Sequence, residues 1–337
     1  MVEWWRPDIF MIKKQNLIKR AEMLRRIRRY FDDLGYIEVE TPALQTAPCM
    51  EPHIRAFKTE KEDVTRTKKT TLYLHTSPEF AMKKLIVAGM DKIYNICHVF
   101  RNAENSSHHT PEFTMIEWYH VGIDYHALMD ETIGMVRAAA GGEIFKRKDV
   151  TADPNLPWQK LSVCEAMLKY AKIDLEVVLD DFAGFVKLAQ SQGIEPHAGD
   201  KWDDLFFRIF MDVVEPQLGI GAPTIIYDYP KHMAALSRVK ASDPRFAERF
   251  EVYICGLELA NAFGELTEPD VQRQRFYDDV AYRQTIYGEV YPVDEDFLSA
   301  IDYGMRDTSG IALGIDRLAM LLCGADKITD VQACLIA

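Results

Sequence analysis

The sequence predicts an α+β fold in which helices flank a large antiparallel sheet. Three observations predict it. Helical and strand-like runs follow one another in no regular βαβ order. Two strand-like runs, "KIYNICHVFR" (Lys92 to Arg101) and "EFTMIEWYHV" (Glu112 to Val121), enclose the polar loop "NAENSSHHTP", which is the pattern of a long antiparallel hairpin. Near the C-terminus, "SGIALGIDR" (Ser309 to Arg317) runs a glycine-bearing strand directly into an apolar helix.

The elements follow in order. From Lys14 to Leu34, Leu17, Ile18, Ala21, Leu24, Ile27, Tyr30 and Phe31 recur at helical spacing, and Gly35 ends the run. "YIEVETP" alternates like a strand until Pro42 interrupts the ladder. "TLYLHTSPEFAMKKLIVAG" reads as strand, turn and helix, with Pro78 in the helix's first turn. Residues from about 125 to 217 read as a mainly helical insert. "TIIYDYP" is a strand. "RFEVYICGLELANAFGEL" (Arg249 to Leu266) reads as one long strand with a bulge at Gly256. Helices are expected from Pro269 to Tyr287 and from Asp294 to Gly304. Residues 1–337 are expected to form a single domain, with no internal repeat.

The bulk composition narrows the function classes. The chain has 337 residues, 48% hydrophobic, enough for a large core. No apolar run reaches the roughly 18 residues of a membrane span, and the N-terminus lacks a secretory pattern. Cys49, Cys97, Cys164, Cys255, Cys323 and Cys334 have no zinc-ligand spacing and read as free thiols in a reducing cytoplasm. A formal net charge of -12 argues against general nucleic-acid binding.

The hairpin concentrates the residues suited to chemistry. Arg101 ends its first strand, and its loop holds Glu104, His108 and His109. On the return strand, alternation puts Phe113, Met115, Glu117 and Tyr119 on one face. Such a face suits a pocket that stacks a flat ring and holds an amine. Glu251 and Glu258 would face opposite ways on a regular strand, and a bulge would bring them together to hold Mg²⁺ with substrate phosphates. Asn261, Phe263 and Glu265 alternate on one face. No covalent nucleophile pattern or P-loop is present. Arginines with carboxylates point instead to nucleotide chemistry by positioning and charge stabilisation.

These residues resemble the catalytic core of the class II aminoacyl-tRNA synthetases of the lysyl type. The first helix with "YIEVETP" resembles motif 1, "FRNAENSSHHTPEFTMIEWY" motif 2 and "SGIALGIDR" motif 3. The helical insert then lies between motifs 2 and 3. "TSPEFAMKKLIVAG" and "ELANAFGELTEPDVQRQRF" match the lysyl branch, and the likeness runs from about Asn16 to Gly324. Motif 1 starts almost at once, so no anticodon-binding OB domain is expected before it. A stand-alone core with a "WWRPD" start resembles the elongation factor P–(R)-β-lysine ligase family. That resemblance implies activation of β-lysine with ATP and Mg²⁺, then transfer to a lysine ε-amine of elongation factor P. It also implies a homodimer built on motif 1 and no tRNA anticodon recognition. A truncated synthetase using α-lysine and a non-catalytic paralogue are the alternatives.

The resemblance assigns roles by residue. Arg101 and Arg317 would be catalytic, binding the α- and γ-phosphates. Asn102, Ala103, Glu104, His109, Thr110, Phe113, Glu251 and Gly314 would complete the ATP site, with Phe113 stacked on adenine. Glu251 and Glu258 would hold Mg²⁺. Ser77, Pro78, Glu79, Glu117, Tyr119, Glu258, Asn261, Phe263, Glu265 and Ala312 would line the amino-acid pocket. Gly310 and Gly314 would let the backbone approach the ligands closely. The pattern is broken at four places. Ala103 stands where the motif has Glu, with Glu104 one position later. His108 stands for an arginine. Ala262 stands for a glycine, adding a methyl beside the pocket. Ala312 stands for the glycine of the lysyl synthetases, and its methyl would crowd an α-amino group.

Overall fold

The computed structural model describes residues 4–333, so Cys334 lies outside the described residues. Helix α1 (Pro7–Asp33) starts earlier than its apolar pattern, because Pro7 and Asp8 suit a first turn. It buries Met23, Ile27 and Phe31, one face at a spacing of four. Phe31 stacks on Tyr94 with ring centroids 4.8 Å apart. "YIEVETP" is reduced to β1 (Ile37–Glu38). A small sheet follows, made of β2 (Leu44–Gln45), β3 (Lys58–Glu62) and β4 (Lys69–Leu74). Helix α2 (Glu79–Val87) has Pro78 at its N-cap. Strands β5 (Lys92–Phe100) and β6 (Glu112–Val121) form the expected hairpin.

The stretch expected to be mainly helical contains strands as well. Helix α3 (Tyr125–Ala140) leads into the two-stranded ribbon β7 (Phe145–Arg147) and β8 (Val150–Ala152). Strand β9 (Gln159–Ser162) then joins the main sheet, before the helices α4 (Val163–Ala166), α5 (Phe182–Ser191) and α6 (Trp202–Ile209). These helices bury their own apolar cluster around Phe185, Phe206 and Phe210.

Strand β10 (Thr224–Pro230) precedes a second difference. "RFEVYICGLELANAFGEL" is a hairpin, β11 (Phe246–Ile254) and β12 (Leu257–Gly264), turned at Cys255 and Gly256. Both turn residues have positive φ, 53° and 65°, as a tight two-residue hairpin turn requires. Gly256 is therefore a turn residue. The irregularity lies at Leu259: Val252 pairs with Ala260 and Tyr253 with Glu258, so Leu259 is the extra residue. Helices α7 (Pro269–Tyr287) and α8 (Glu295–Gly304) precede β13 (Thr308–Gly314), which runs directly into α9 (Ile315–Cys323).

The main sheet has eight strands in the order β1-β5-β6-β13-β12-β11-β10-β9. Its centre is antiparallel as expected, but both edges pair parallel, β1 with β5 and β10 with β9, so the sheet is mixed. One face packs on α1, α3 and α9 through the core around Trp118, Phe250, Leu313 and Leu318. Ala262 is fully buried in that core, since alternation turns it away from Asn261 and Phe263. Its methyl therefore lies in the core rather than beside the pocket, where it was expected. The opposite face is covered at the β5–β6 end by α2, α7 and α8, through Phe80, Phe276 and Phe297, and at the β10–β11 end by the insert helices.

Candidate active site

Between these covers the face floors a cavity of ≈ 830 Å³, within the range of small-molecule sites. Cross-strand register builds the floor in rows. Glu117, Ala312, Asn261 and Glu251 are successive partners across β6, β13, β12 and β11. The next row is Tyr119, Gly310, Phe263 and Arg249. The turn at Cys255 and Gly256 puts Glu251 and Glu258 on neighbouring strands. The extra residue Leu259 keeps Glu258 on the same face as Asn261, despite their odd spacing.

One end of the cavity is acidic. Glu117 accepts hydrogen bonds from the Ser77 hydroxyl (2.6 Å) and the Tyr119 hydroxyl (2.9 Å). Burial and the nearby Glu79 carboxylate push its pKa up to about 8, against the pull of those hydroxyls and of Lys83. Lys83, which is 1% exposed, bridges Glu79 (2.5 Å) and Glu265 (2.6 Å). Two carboxylates hold Lys83 protonated, but one ammonium cannot neutralise both. Burial, together with Glu79, accordingly keeps the Glu265 carboxyl above its usual value. Gly310 is needed here for a reason other than ligand access. A Cβ at that position would come within 2.4 Å of both the Tyr119 ring and the Glu265 carboxylate. Gly314, by contrast, would meet only the Arg317 side chain at 3.7 Å, an ordinary contact.

The other end is basic. Arg101 lies with its guanidinium 5.2 Å above the Phe113 ring. Arg317, in the first turn of α9, donates to the Glu258 carbonyl (2.7 Å) and to His109 Nε2. Burial and the charges of Arg317 and Arg101 push His109 down to about 4, so the ring is a neutral acceptor at pH 7. The Asp-Arg pair of "GIDR" divides its work. Asp316 turns inward, accepting from Arg20 (2.8 Å) and the Thr114 backbone N–H (2.9 Å), and thereby fixes α1, β6 and α9 together.

The displaced Glu104 also faces the cavity. Ala103 has φ 65°, a left-handed turn that carries the next side chain around. One Glu104 carboxylate oxygen is buried with no hydrogen-bond donor. Not every expected residue lines the main cavity. The Thr110 hydroxyl donates to the Glu112 carbonyl (2.8 Å), and Asn102 accepts from the Ala103 N–H (2.8 Å). Pro78 serves as the N-cap of α2.

A smaller cavity of ≈ 470 Å³ adjoins the basic end, walled by Glu251, Glu258, Arg317, Arg147 and Glu215. Glu251 accepts from the hydroxyls of Tyr229 (2.6 Å) and Tyr253 (2.5 Å) and from Arg249 (2.7 Å). Arg249 also donates to Asn261 Oδ1 (3.1 Å), fixing that amide's orientation. Burial, with the Glu251 charge beside it, raises Glu258 above its usual value.

A family model described as tRNA synthetases class II (D, K and N) matches residues 11–334. The chain is 38% identical over 331 residues to the elongation factor P–(R)-β-lysine ligase of Pectobacterium atrosepticum, covering 98% of this chain and 96% of the relative. It is 39% identical over 333 residues to the ligase of the same name from Vibrio cholerae, covering 98% and 97%. The ligase from Salmonella typhi is 37% identical over 333 residues, covering 98% and 96%. The chain belongs to the class II synthetase family, in its elongation factor P–(R)-β-lysine ligase branch.

Within this class II site, Lys83, Arg249, Tyr229, Arg147 and Glu215 went unread in the sequence. Lys83 had one signal, its spacing of four from Glu79 on a helix. Arg147 and Glu215 come from the stretch read as a helical insert, and no local pattern marks them. Among the described residues, no helix is long and apolar enough to cross a membrane.

Proposed function

We propose that this chain activates (R)-β-lysine with ATP and transfers it to the ε-amine of a lysine on elongation factor P. One observation carries the reading: a single cavity joins an acidic pocket to a two-arginine end. Among the described residues, Lys83 is the one cation ion-paired with Glu79, Glu117 or Glu265, so the fully ionised pocket carries two surplus negative charges. Two ammonium groups on one substrate balance them. The substrate carboxylate then lies toward Arg101. Ala312, between Glu117 and Asn261, narrows the place of an α-amino group and favours an amine on the β-carbon.

In the first step a carboxylate oxygen of β-lysine attacks the α-phosphorus of ATP, and pyrophosphate leaves. Arg101 neutralises the α-phosphate, Arg317 holds the terminal phosphate, and His109 keeps Arg317 oriented. Removing one such donor costs on the order of 10²–10³ in rate. Phe113 stacks the adenine, and the buried, donor-less oxygen of Glu104 accepts from its amino group. In the second step the neutral ε-amine of the acceptor attacks the adenylate carbonyl, and AMP departs.

The residues present fit Mg²⁺. Among the described residues the Glu258 carboxylate receives no hydrogen-bond donor, and burial beside Glu251 destabilises its charge, so it favours a nearby cation. Glu251 Oε1 accepts only Arg249 and keeps a lone pair. No group of three metal-ligating side chains occurs among the described residues, so Glu251 and Glu258 would hold the ion together with the substrate phosphates. When bound, the ion supplies charge neutralisation on the phosphates.

Exposed Ile18, Leu34, Ile37 and Leu44 on the motif 1 segment support the homodimer reading. ATP–pyrophosphate exchange tests the activation step. It is expected with (R)-β-lysine, and background exchange with every lysine isomer would overturn the reading.

A further inference from the structure

The motif 2 loop has His108 where the lysyl pattern has arginine, and the structure brings an arginine to that spot from another element. Arg147 ends β7, a strand anchored by the fully buried Phe145. Its Nη1 donates to the carbonyls of Cys255 (3.3 Å) and Gly256 (3.1 Å), at the tight turn between β11 and β12. Its Nη2 donates to His108 Nε2 (3.1 Å). Its Nε is buried without a partner. A guanidinium has five N–H donors, so two remain unused, the Nε–H and one on Nη2, the two nitrogens of one edge. That edge is suited to two-pronged phosphate contact.

We propose that Arg147 is an anion-binding residue of the active site, holding the terminal phosphates of ATP and the leaving pyrophosphate in the smaller cavity. The inference rests on the adenylate-forming reading above. Three guanidiniums wall that cavity. Arg249 is committed to Glu251, Asn261 and the Met233 carbonyl. Its charge is matched by Glu251, whereas among the described residues Arg147 and Arg317 form no ion pair with a carboxylate and keep their charge for a ligand. They face Glu215, Glu251 and Glu258, acids that would repel a polyphosphate unless cations stood between. His108 records the local field. Burial pushes its pKa down, and so do the charges of Arg147, Arg317 and Lys148. The loop position that lost its arginine thus has a guanidinium hydrogen-bonded to its replacement.

The test separates the two half-reactions. Arg147→Gln keeps an amide N–H donor for the turn carbonyls and removes the charge. Pyrophosphate exchange in this variant should need about ten to a hundred times more pyrophosphate for half-saturation, the loss of one charge-assisted contact. Transfer from preformed adenylate should stay within about twofold of the parent, since pyrophosphate has already left. His108→Arg added to Arg147→Gln should recover most of the exchange. Unchanged half-saturation would overturn the proposal. So would an equal loss in both half-reactions, or a defect that His108→Arg leaves unrepaired, because a residue that only staples the turn behaves that way. If the parent protein shows no exchange with β-lysine, the adenylate reading fails and this inference with it.

Discussion

Lys83 offers a quantitative check on the acidic pocket. It is 1% exposed, with its ammonium 2.5 Å from Glu79 and 2.6 Å from Glu265. Lys83→Met keeps the apolar bulk and removes the charge, leaving two buried carboxylates unpaired. The cheapest response is proton uptake. At pH 7, protonating a carboxyl of ordinary pKa, about 4.3, costs about 3.7 kcal/mol. Glu265 is already raised, so the second protonation adds less. The total falls at about 3–5 kcal/mol, the range for breaking a buried ion pair. For a chain of 337 residues that lowers Tm by about 4–7 °C. The sign with pH follows. Carboxyls with raised folded pKa keep their protons where the unfolded chain has lost its own, so the variant's deficit grows as pH rises from 5 to 8. Near pH 5 it should shrink to about 1 kcal/mol per group. Thermal denaturation at pH 5, 7 and 8, without ligand, reads this directly. A variant within about 2 °C of the parent at every pH would refute the buried triad.

Two further outcomes follow from the same pocket. Glu117, held near 8, is largely protonated at pH 7, so binding an ammonium group should release a proton, and affinity should rise between pH 6 and pH 8. Calorimetry in buffers of different ionisation enthalpy should show this release, and Glu117→Gln should abolish it. Ala312→Gly should raise exchange with α-lysine relative to β-lysine by about tenfold, the scale of one methyl group in a pocket. An unchanged isomer ratio would remove Ala312 from the specificity argument.

Much of this protein was legible in the order of its residues, for physical reasons. The β5–β6 hairpin and the face Phe113, Met115, Glu117 and Tyr119 followed from period-two alternation, which a half-buried strand enforces. The strand-to-helix joint followed from the glycines and apolar run around Arg317. What was missed has physical causes too. The turn at Cys255 and Gly256 lacks the Asn-Gly or Asp-Gly signal, so two strands read as one and the irregularity was put at Gly256 rather than Leu259. Ala262 was given to the pocket, although alternation from Asn261 sends it to the core. Lys83 went unread because only tertiary packing of Glu265 against it makes it a buried cation. Arg147 reaches the site because β7 packs beside a turn more than a hundred residues away. No local pattern encodes that contact.

The central claim is that this cavity makes a β-lysyl adenylate and delivers it to a protein amine. Intact-mass measurement tests it most directly, using elongation factor P incubated with this protein, ATP, Mg²⁺ and either (R)-β-lysine or α-lysine. The expected result is a gain of one lysyl residue with (R)-β-lysine, abolished by Arg317→Ala. A gain with α-lysine alone, or no gain with either isomer, would contradict it.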